Sequence, residues 1–514
     1  MSVSKLLLKG ATVRTFAMVA NILIGFIMLP FLVHAFGDEQ YGLWTLVSLI
    51  VSFYGLMDLG LSSASQRYIT RALEDKEGDA VNVATSTSFY LFALLGFIAL
   101  IVTVVIISLG PVFFEKQLVI DVFQVSIGLM GFKFAIAFPV FAYHGLIYAN
   151  HRFDIISYIE LFTLILRTVL VFSIISQGYG VIVLALITLC TDLLGYILAI
   201  IYARKIYSDF KISRKFVSIK KLKQYFNYGK YVFITSVADR IRLSFDTIVI
   251  STFLTLSLVT HYAVAGALLK YFGLLMNSVF GVFGPTFTKY HKNNDWDAIR
   301  EKFIVITELT ALISFMIGGL LLVLGKSFII VWMGHDYLDA YVILIVLAIV
   351  GIVGNSQRPS VAVLYAVAKH KYYANITVIE AIANLSISIL LVREIGLLGV
   401  ALGTLIPLLV TKLYFQPSYT CKLMGLSFAS YSLILVKMLV FMLGLFMPAY
   451  FLIATMGELK LYEILIAGII MTSLYMLLGV RLMLSENTKK YIHDALPRSI
   501  AGIYGKVFIK YNNV

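Results

Sequence analysis

Apolar runs long enough to cross a bilayer recur along almost the whole chain, each closed by polar residues, Gly or Pro. A membrane-spanning helix needs about 20 such residues. Fourteen runs qualify, at 12–35, 41–64, 84–109, 119–145, 154–176, 179–203, 231–254, 257–285, 303–325, 339–366, 373–392, 396–417, 428–454 and 460–482. The connections are short, apart from 204–230, 286–302 and the C-terminal tail. Prolines at 30, 139, 285, 359, 407 and 448 mark places where these helices are expected to bend or break.

Composition narrows the class. Of the 514 residues, 60% are hydrophobic and only 13% are charged, with a mean hydropathy of +0.94. A soluble protein carries about 25% charged residues, so the expectation is an all-α polytopic membrane protein. Cys190 and Cys421 make no disulfide or metal framework. The N-terminal MSVSKLLLKG is not followed by a cleavable-signal pattern, so the first run is expected to be a retained helix.

The net charge of +14 would suggest nucleic acid in a soluble protein, but its distribution explains it otherwise. With the N-terminus placed in the cytoplasm, 30 Lys and Arg fall on cytoplasmic segments and span ends. Among them are Lys412 and the basic cluster of 204–230. Only Lys116, Lys326, Arg393 and Lys460 fall outside. This asymmetry supports the register, an even number of spans and cytoplasmic termini. Loop 204–230 is read chiefly as a topology determinant, with a position on anionic headgroups as the second reading.

Seven bases remain inside spans: Lys133, Arg167, Arg240, Arg242, Lys270, Arg358 and Lys437. Acids inside spans include Asp58, Glu160, Asp192, Asp239, Asp246, Glu308 and Glu380. The seventh run, YVFITSVADRIRLSFDTIVIST (231–252), holds four of these charges, each costing roughly 2.5–3.5 kcal/mol at bilayer depth. It therefore belongs in a protein interior or a wet cavity. Asp239, Arg242 and Asp246 share one face, either as a neutralised network or as part of a binding surface. Arg240 points elsewhere and has no acidic neighbour at helical spacing.

A weak internal repeat is visible. Tyr41-Gly-Leu and Tyr262-Ala-Val are 221 residues apart, and His151-Arg-Phe and His370-Lys-Tyr are 219 apart. Glu160 and Glu380 are 220 apart, and Gly180-Val and Gly399-Val 219. One shared lag argues for duplication of a six-helix unit, with the last two spans outside it. The expected parts are an N-lobe (1–203), a basic linker (204–230), a C-lobe (231–417), helices 13 and 14 (418–484) and a basic tail (485–514).

Particular stretches carry a resemblance. LVHAFGDEQYGLW (32–44) is similar to a G-x-x-x-Y-G junction, and GLMDLGLSSASQRYITR (55–71) to a D-[LF]-G-L motif. LGKSFIIVWMGHDY (324–337) is similar to G-x-x-F-[IL]-x-x-W-x-G-x-x-Y, and GLLGVALGT (396–404) to G-x-x-G-[VA]-A-[LI]-[GA]-T. Their order along the chain resembles the polysaccharide/O-antigen flippase family, the polysaccharide branch of the multidrug/oligosaccharidyl-lipid/polysaccharide exporter superfamily. The resemblance implies two six-helix lobes around a central cationic cavity, working by alternating access in the bacterial inner membrane. It implies a cargo of undecaprenyl-pyrophosphate-linked oligosaccharide repeat units for O-antigen, capsule or exopolysaccharide. Polysaccharide polymerase and glycosyltransferases are the implied partners, and no nucleic acid is expected.

The chemistry agrees with that cargo. Pyrophosphate calls for fixed cations, Arg as a planar fork and Lys as a point charge. The candidate substrate contacts are Arg14, Lys133, Arg167, Arg240, Arg242 and Lys270. Candidate coupling or counter-ion carboxylates, for H+ or Na+, are Asp58, Asp239, Asp246, Glu308 and Glu380. Pairing alternatives stand beside these: Arg167 with Glu160, Lys270 with Glu308, and Arg14 as a snorkelling anchor. No cofactor, metal site or catalytic constellation is expected, for there is no phosphate-binding glycine loop and no clustered His or Cys. The alternatives to the flippase are a cation-coupled multidrug antiporter and a lipid II flippase of the same superfamily. A membrane polymerase is the enzyme alternative.

Overall fold

In the computed structural model the described residues are 3–75, 79–208, 210–226, 245–496 and 498–508. Their regular structure is helical, and no strand occurs among them. Thirteen helices there are long and apolar enough to cross a membrane. Each coincides with one of the expected runs. The remaining run, 231–254, falls largely outside the described residues, of which 245–253 are helical.

The chain divides into two compact units, Met1–Thr260 and His261–Val514. In the first, the principal helices are α1 (Val3–Phe36), α2 (Asp38–Phe53), α3 (Leu61–Asp75), α4 (Ala80–Phe113), α5 (Gln117–Ala149), α6 (Phe153–Ile175) and α7 (Val181–Ile206). Helix α4 packs along α5, α5 against α7, and α6 against both α1 and α7. Helix α4 shows how one span serves two solvents. Leu91, Phe92, Leu95 and Ala99 are buried, whereas Phe97, Ile101, Val104 and Val112 are exposed at helical spacing. With lipid as the outer medium, an apolar outer face is the expected arrangement.

The junction before α2 shows why its glycines are needed. Gly37 sits at φ 74°, a left-handed conformation, and a Cβ at Gly42 would collide with the Leu256 carbonyl. The second span is shorter than expected. A short 3-10 turn (Tyr54–Asp58) ends it and Leu59 takes a left-handed conformation at φ 52°. Helix α3 then starts afresh, with exposed Arg67 and Arg71, so expected span residues 61–64 belong to a separate helix.

The second unit contains most of α8 (Leu256–Phe280), then α9 (Gly284–Lys292), α10 (Trp296–Met333), α11 (Leu338–Ser356), α12 (Arg358–Ala366), α13 (His370–Ile395) and α14 (Leu397–Val410). A π-helical stretch, Thr411–Phe415, leads into α15 (Gln416–Met424). Then come α16 (Phe428–Thr455), α17 (Leu461–Leu482), α18 (Glu486–Ala495) and α19 (Arg498–Phe508). Helix α13 packs along α14, and α10 against α11 and α16. Pro285 and Pro359 occupy first turns, where no amide donor is needed, whereas Pro30, Pro139, Pro407 and Pro448 lie inside helices.

Candidate functional site

Three helices of the first unit bring charges together at mid-span. Lys133 on α5 places Nζ 3.1 Å from Asp192 Oδ2 on α7 and lies 5.0 Å from the centroid of the Phe134 ring. Arg167 on α6 donates Nε to Thr191 Oγ1 at 3.0 Å and pairs through Nη2 with the other Asp192 oxygen. Thr191 turns its own hydroxyl to the Ile187 carbonyl, which fixes it as an acceptor for Arg167. Two cations thus share one carboxylate, leaving one net positive charge. The side chains of Lys133, Asp192 and Arg167 retain 13%, 21% and 30% exposure, so the cluster has an open side.

Asp192 is the partner that the helical spacing did not identify. Glu160, two turns from Arg167 on the same helix, lies instead in the field of Arg14, as does Tyr148. Arg14 itself is exposed on α1. Asp58 accepts from the Ser62 amide at 3.0 Å and from its hydroxyl at 2.6 Å, which caps the start of α3.

In the second unit the main charged cluster is buried. Glu380 Oε2 accepts from Thr411 Oγ1 at 2.5 Å and lies 3.6 Å from Lys412 Nζ, with side-chain exposures of 3% and 2% for the two ions. Lys412 also donates to Gln416 Oε1 at 2.8 Å and stands 4.9 Å from the centroid of the Tyr373 ring. Gln416 continues to the Gln357 carbonyl at 3.4 Å, and Tyr431 donates to Gln357 Oε1 at 2.8 Å. The π-helical stretch carries both Thr411 and Lys412, and such stretches concentrate at functional positions. Lys412 is therefore not one of the solvated charges of the basic side, where the charge count placed it. It is a buried partner of Glu380.

Thr191-Asp192 and Thr411-Lys412 are 220 residues apart, the lag that separates Glu160 from Glu380. The lag of the expected repeat thus pairs an acid in the first unit with a base in the second.

Other candidates stand apart. Glu308 accepts from the Ser485 amide at 3.0 Å and hydroxyl at 2.9 Å, at the entrance to α18. Lys270 is exposed on α8 and forms no ion pair among the described residues. Arg358 bonds Asn355 Oδ1, Asn277 Oδ1 and the Gly273 carbonyl at 2.9, 3.2 and 3.1 Å, fastening α8 to α11. Lys437 is exposed on α16. Asp239, Arg240 and Arg242 lie outside the described residues, and Asp246 lies in the helical stretch 245–253. No group of three His, Cys, Asp or Glu fit to hold a metal ion occurs among the described residues.

Clustered mid-span cations in a polytopic α-helical chain fit a membrane transporter, and comparison with known proteins gives the family. The chain belongs to the polysaccharide biosynthesis protein family, whose sequence profile matches residues 7–291. It is 23% identical to a putative O-antigen transporter of Shigella flexneri over 426 residues, covering 80% of this chain and 98% of that protein. Its fold is similar to that of the lipid II flippase MurJ in an inward closed conformation. The TM-score is 0.68 at 16% identity, covering 91% of this chain and 98% of MurJ. An inward-facing multidrug resistance MATE family transporter of the MOP superfamily has the same TM-score at 14% identity, covering 81% and 98%.

Proposed function

We propose that the chain flips undecaprenyl-pyrophosphate-linked oligosaccharide repeat units from the cytoplasmic to the outer leaflet of the bacterial inner membrane. The observation that carries this reading is the convergence of Lys133 and Arg167 on the single carboxylate of Asp192. A pyrophosphate arriving at the open side of this cluster replaces carboxylate oxygens with phosphate oxygens at two cations already held in place. Its negative charge is thereby carried at a depth where an isolated ion is expensive. Arg14, Lys270, Arg240 and Arg242 are the further proposed contacts along the path.

Family membership and likeness to an O-antigen transporter support the substrate class. The charge asymmetry of the loops supports cytoplasmic termini. Alternating access is the proposed cycle, coupled to H+ or Na+ through Asp239, Asp246 or Glu380, with polymerase and glycosyltransferases acting on either side of the step.

The test is complementation of a deletion strain. Wild-type protein restores surface polysaccharide, and Arg167→Ala, Lys270→Ala and Arg240→Ala each leave lipid-linked units facing the cytoplasm. Full export by all three variants at normal expression overturns the cationic path. A changed drug-resistance profile with unaltered surface polysaccharide points to the multidrug antiporter instead.

A further inference from the structure

A cavity lies in the first unit, away from the mid-span cluster. Tyr143, Arg204, Ser208, Phe210 and Ile212 line a cavity of about 490 Å3, a ligand-sized volume. Tyr143 stands near the end of α5 and Arg204 in the last turn of α7, so the cavity opens where two spans meet the basic loop.

The other wall is built from that loop, which is fastened to α4 by a polar run. Lys211 donates its amide to Asn82 Oδ1 at 2.8 Å, and its carbonyl accepts from Ser86 Oγ at 3.1 Å. The Ser213 and Ser218 amides bond Ser86 Oγ and Thr87 Oγ1, both at 3.1 Å. Farther on, Tyr225 donates to the Ala84 carbonyl at 3.1 Å, and burial pushes its phenol up to about 12, so it remains a donor. Phe210 then meets Tyr143 edge to face, with centroids 5.9 Å apart. The wall is thus held by backbone and side-chain hydrogen bonds.

Charge and polarity define the occupant. Residues 204–226 hold eight Lys and Arg against one acid, Asp209. Arg204 is exposed and has no ion-pair partner among the described residues. On the same face of α7, at spacings of four and three, Ile197, Ile201 and Arg204 form a stripe whose two isoleucines are more than half exposed. A guanidinium at the end of an exposed apolar stripe fits an ionic headgroup with its acyl chain below.

We propose that this cavity seats the headgroup of an acidic phospholipid. Arg204 holds the phosphate, the Tyr143 and Phe210 rings enclose the glycerol region, and the acyl chain descends along Ile201 and Ile197. The inference rests on the reading above only in taking the basic side as the cytoplasmic leaflet, where acidic lipids attract such clusters. A soluble phosphate ester would use Arg204 but gain nothing from the stripe, which favours the lipid.

The test is native mass spectrometry of the full chain in detergent, titrated with phosphatidylglycerol. The first lipid is expected to bind the wild type tightly. Its affinity falls about tenfold in Arg204→Ala, as for a lost charge-assisted phosphate contact, and partly returns in Arg204→Lys. Arg214→Ala, on the loop but outside the cavity, should change it less than about twofold. If Arg204→Ala does not fold, Ile212→Trp fills the cavity without altering charge and must give the same loss. Equal losses in the Arg204 and Arg214 variants, or equal binding of phosphatidylcholine, overturn the site. Displacement of the lipid by glycerol phosphate at similar concentration overturns the lipid assignment. Because lipid binding is read and not transport, failure here leaves the flippase reading untouched.

Discussion

Asp192 and Lys412 stand 220 residues apart, each following a threonine, and carry opposite charges into opposite environments. Asp192 is a partly open carboxylate holding two cations. Lys412 is a buried ammonium held by Glu380, Gln416 and the face of Tyr373. The first cluster has charge to spare for a ligand, whereas the second is satisfied from within.

If the first cluster is a preorganised pair of cations, Lys133 and Arg167 should depend on each other through Asp192. Replacing Asp192 with Asn leaves two like charges facing each other. A double-mutant cycle between Asp192→Asn and Arg167→Gln, read by thermal unfolding in detergent, should give a coupling on the order of 1–3 kcal/mol. Additive effects would show that the contact contributes nothing.

The second cluster predicts a different outcome. Lys412→Met strands the buried Glu380 carboxyl group without its cation, and should destabilise the protein by about 3–5 kcal/mol. Adding Glu380→Gln should recover much of that loss, because an apolar and neutral pair no longer strands a charge. Thermal unfolding of both variants checks this; a single Lys412→Met variant as stable as the wild type contradicts it.

Glu308 is expected to be structural. Its carboxylate takes two hydrogen bonds from Ser485, at the start of α18. Glu308→Gln should therefore loosen residues 485–495, seen as faster amide exchange there, while surface polysaccharide stays normal. Abolished export with unchanged exchange would make Glu308 a coupling group instead.

Asp58 invites a parallel test with a conservative rescue. Asn can still cap α3, so Asp58→Asn should keep stability and export, whereas Asp58→Ala loses roughly 0.5–2 kcal/mol. Export lost in the Asn variant at wild-type stability would reveal a need for the negative charge.

The legibility of the sequence follows from the physics of each feature. Spans were readable because lipid requires long apolar runs, and all thirteen described ones coincide with such a run. The end of span two was not, since Leu61 to Ala64 are small or apolar and the break depends on a left-handed Leu59 and an Asp58 cap. Lys412 was misplaced because it lies near an expected span end, where a base normally reaches water; only the packing of Glu380 and Tyr373 shows it buried. Lys133 and Arg167 were legible as expensive charges. Their meeting at Asp192 was not, because it joins three helices separated by tens of residues. The contact of Glu308 with Ser485 spans 177 positions and leaves no local periodicity.

The central claim is tested most directly in sealed proteoliposomes containing an undecaprenyl-pyrophosphate-linked oligosaccharide. An externally added glycosidase measures the fraction of glycan exposed on the outer leaflet. With wild-type protein, glycan initially sheltered inside should become accessible well beyond the level of protein-free vesicles, and Arg167→Ala should return it close to that level. Accessibility that is the same with wild-type protein and without it would contradict the account.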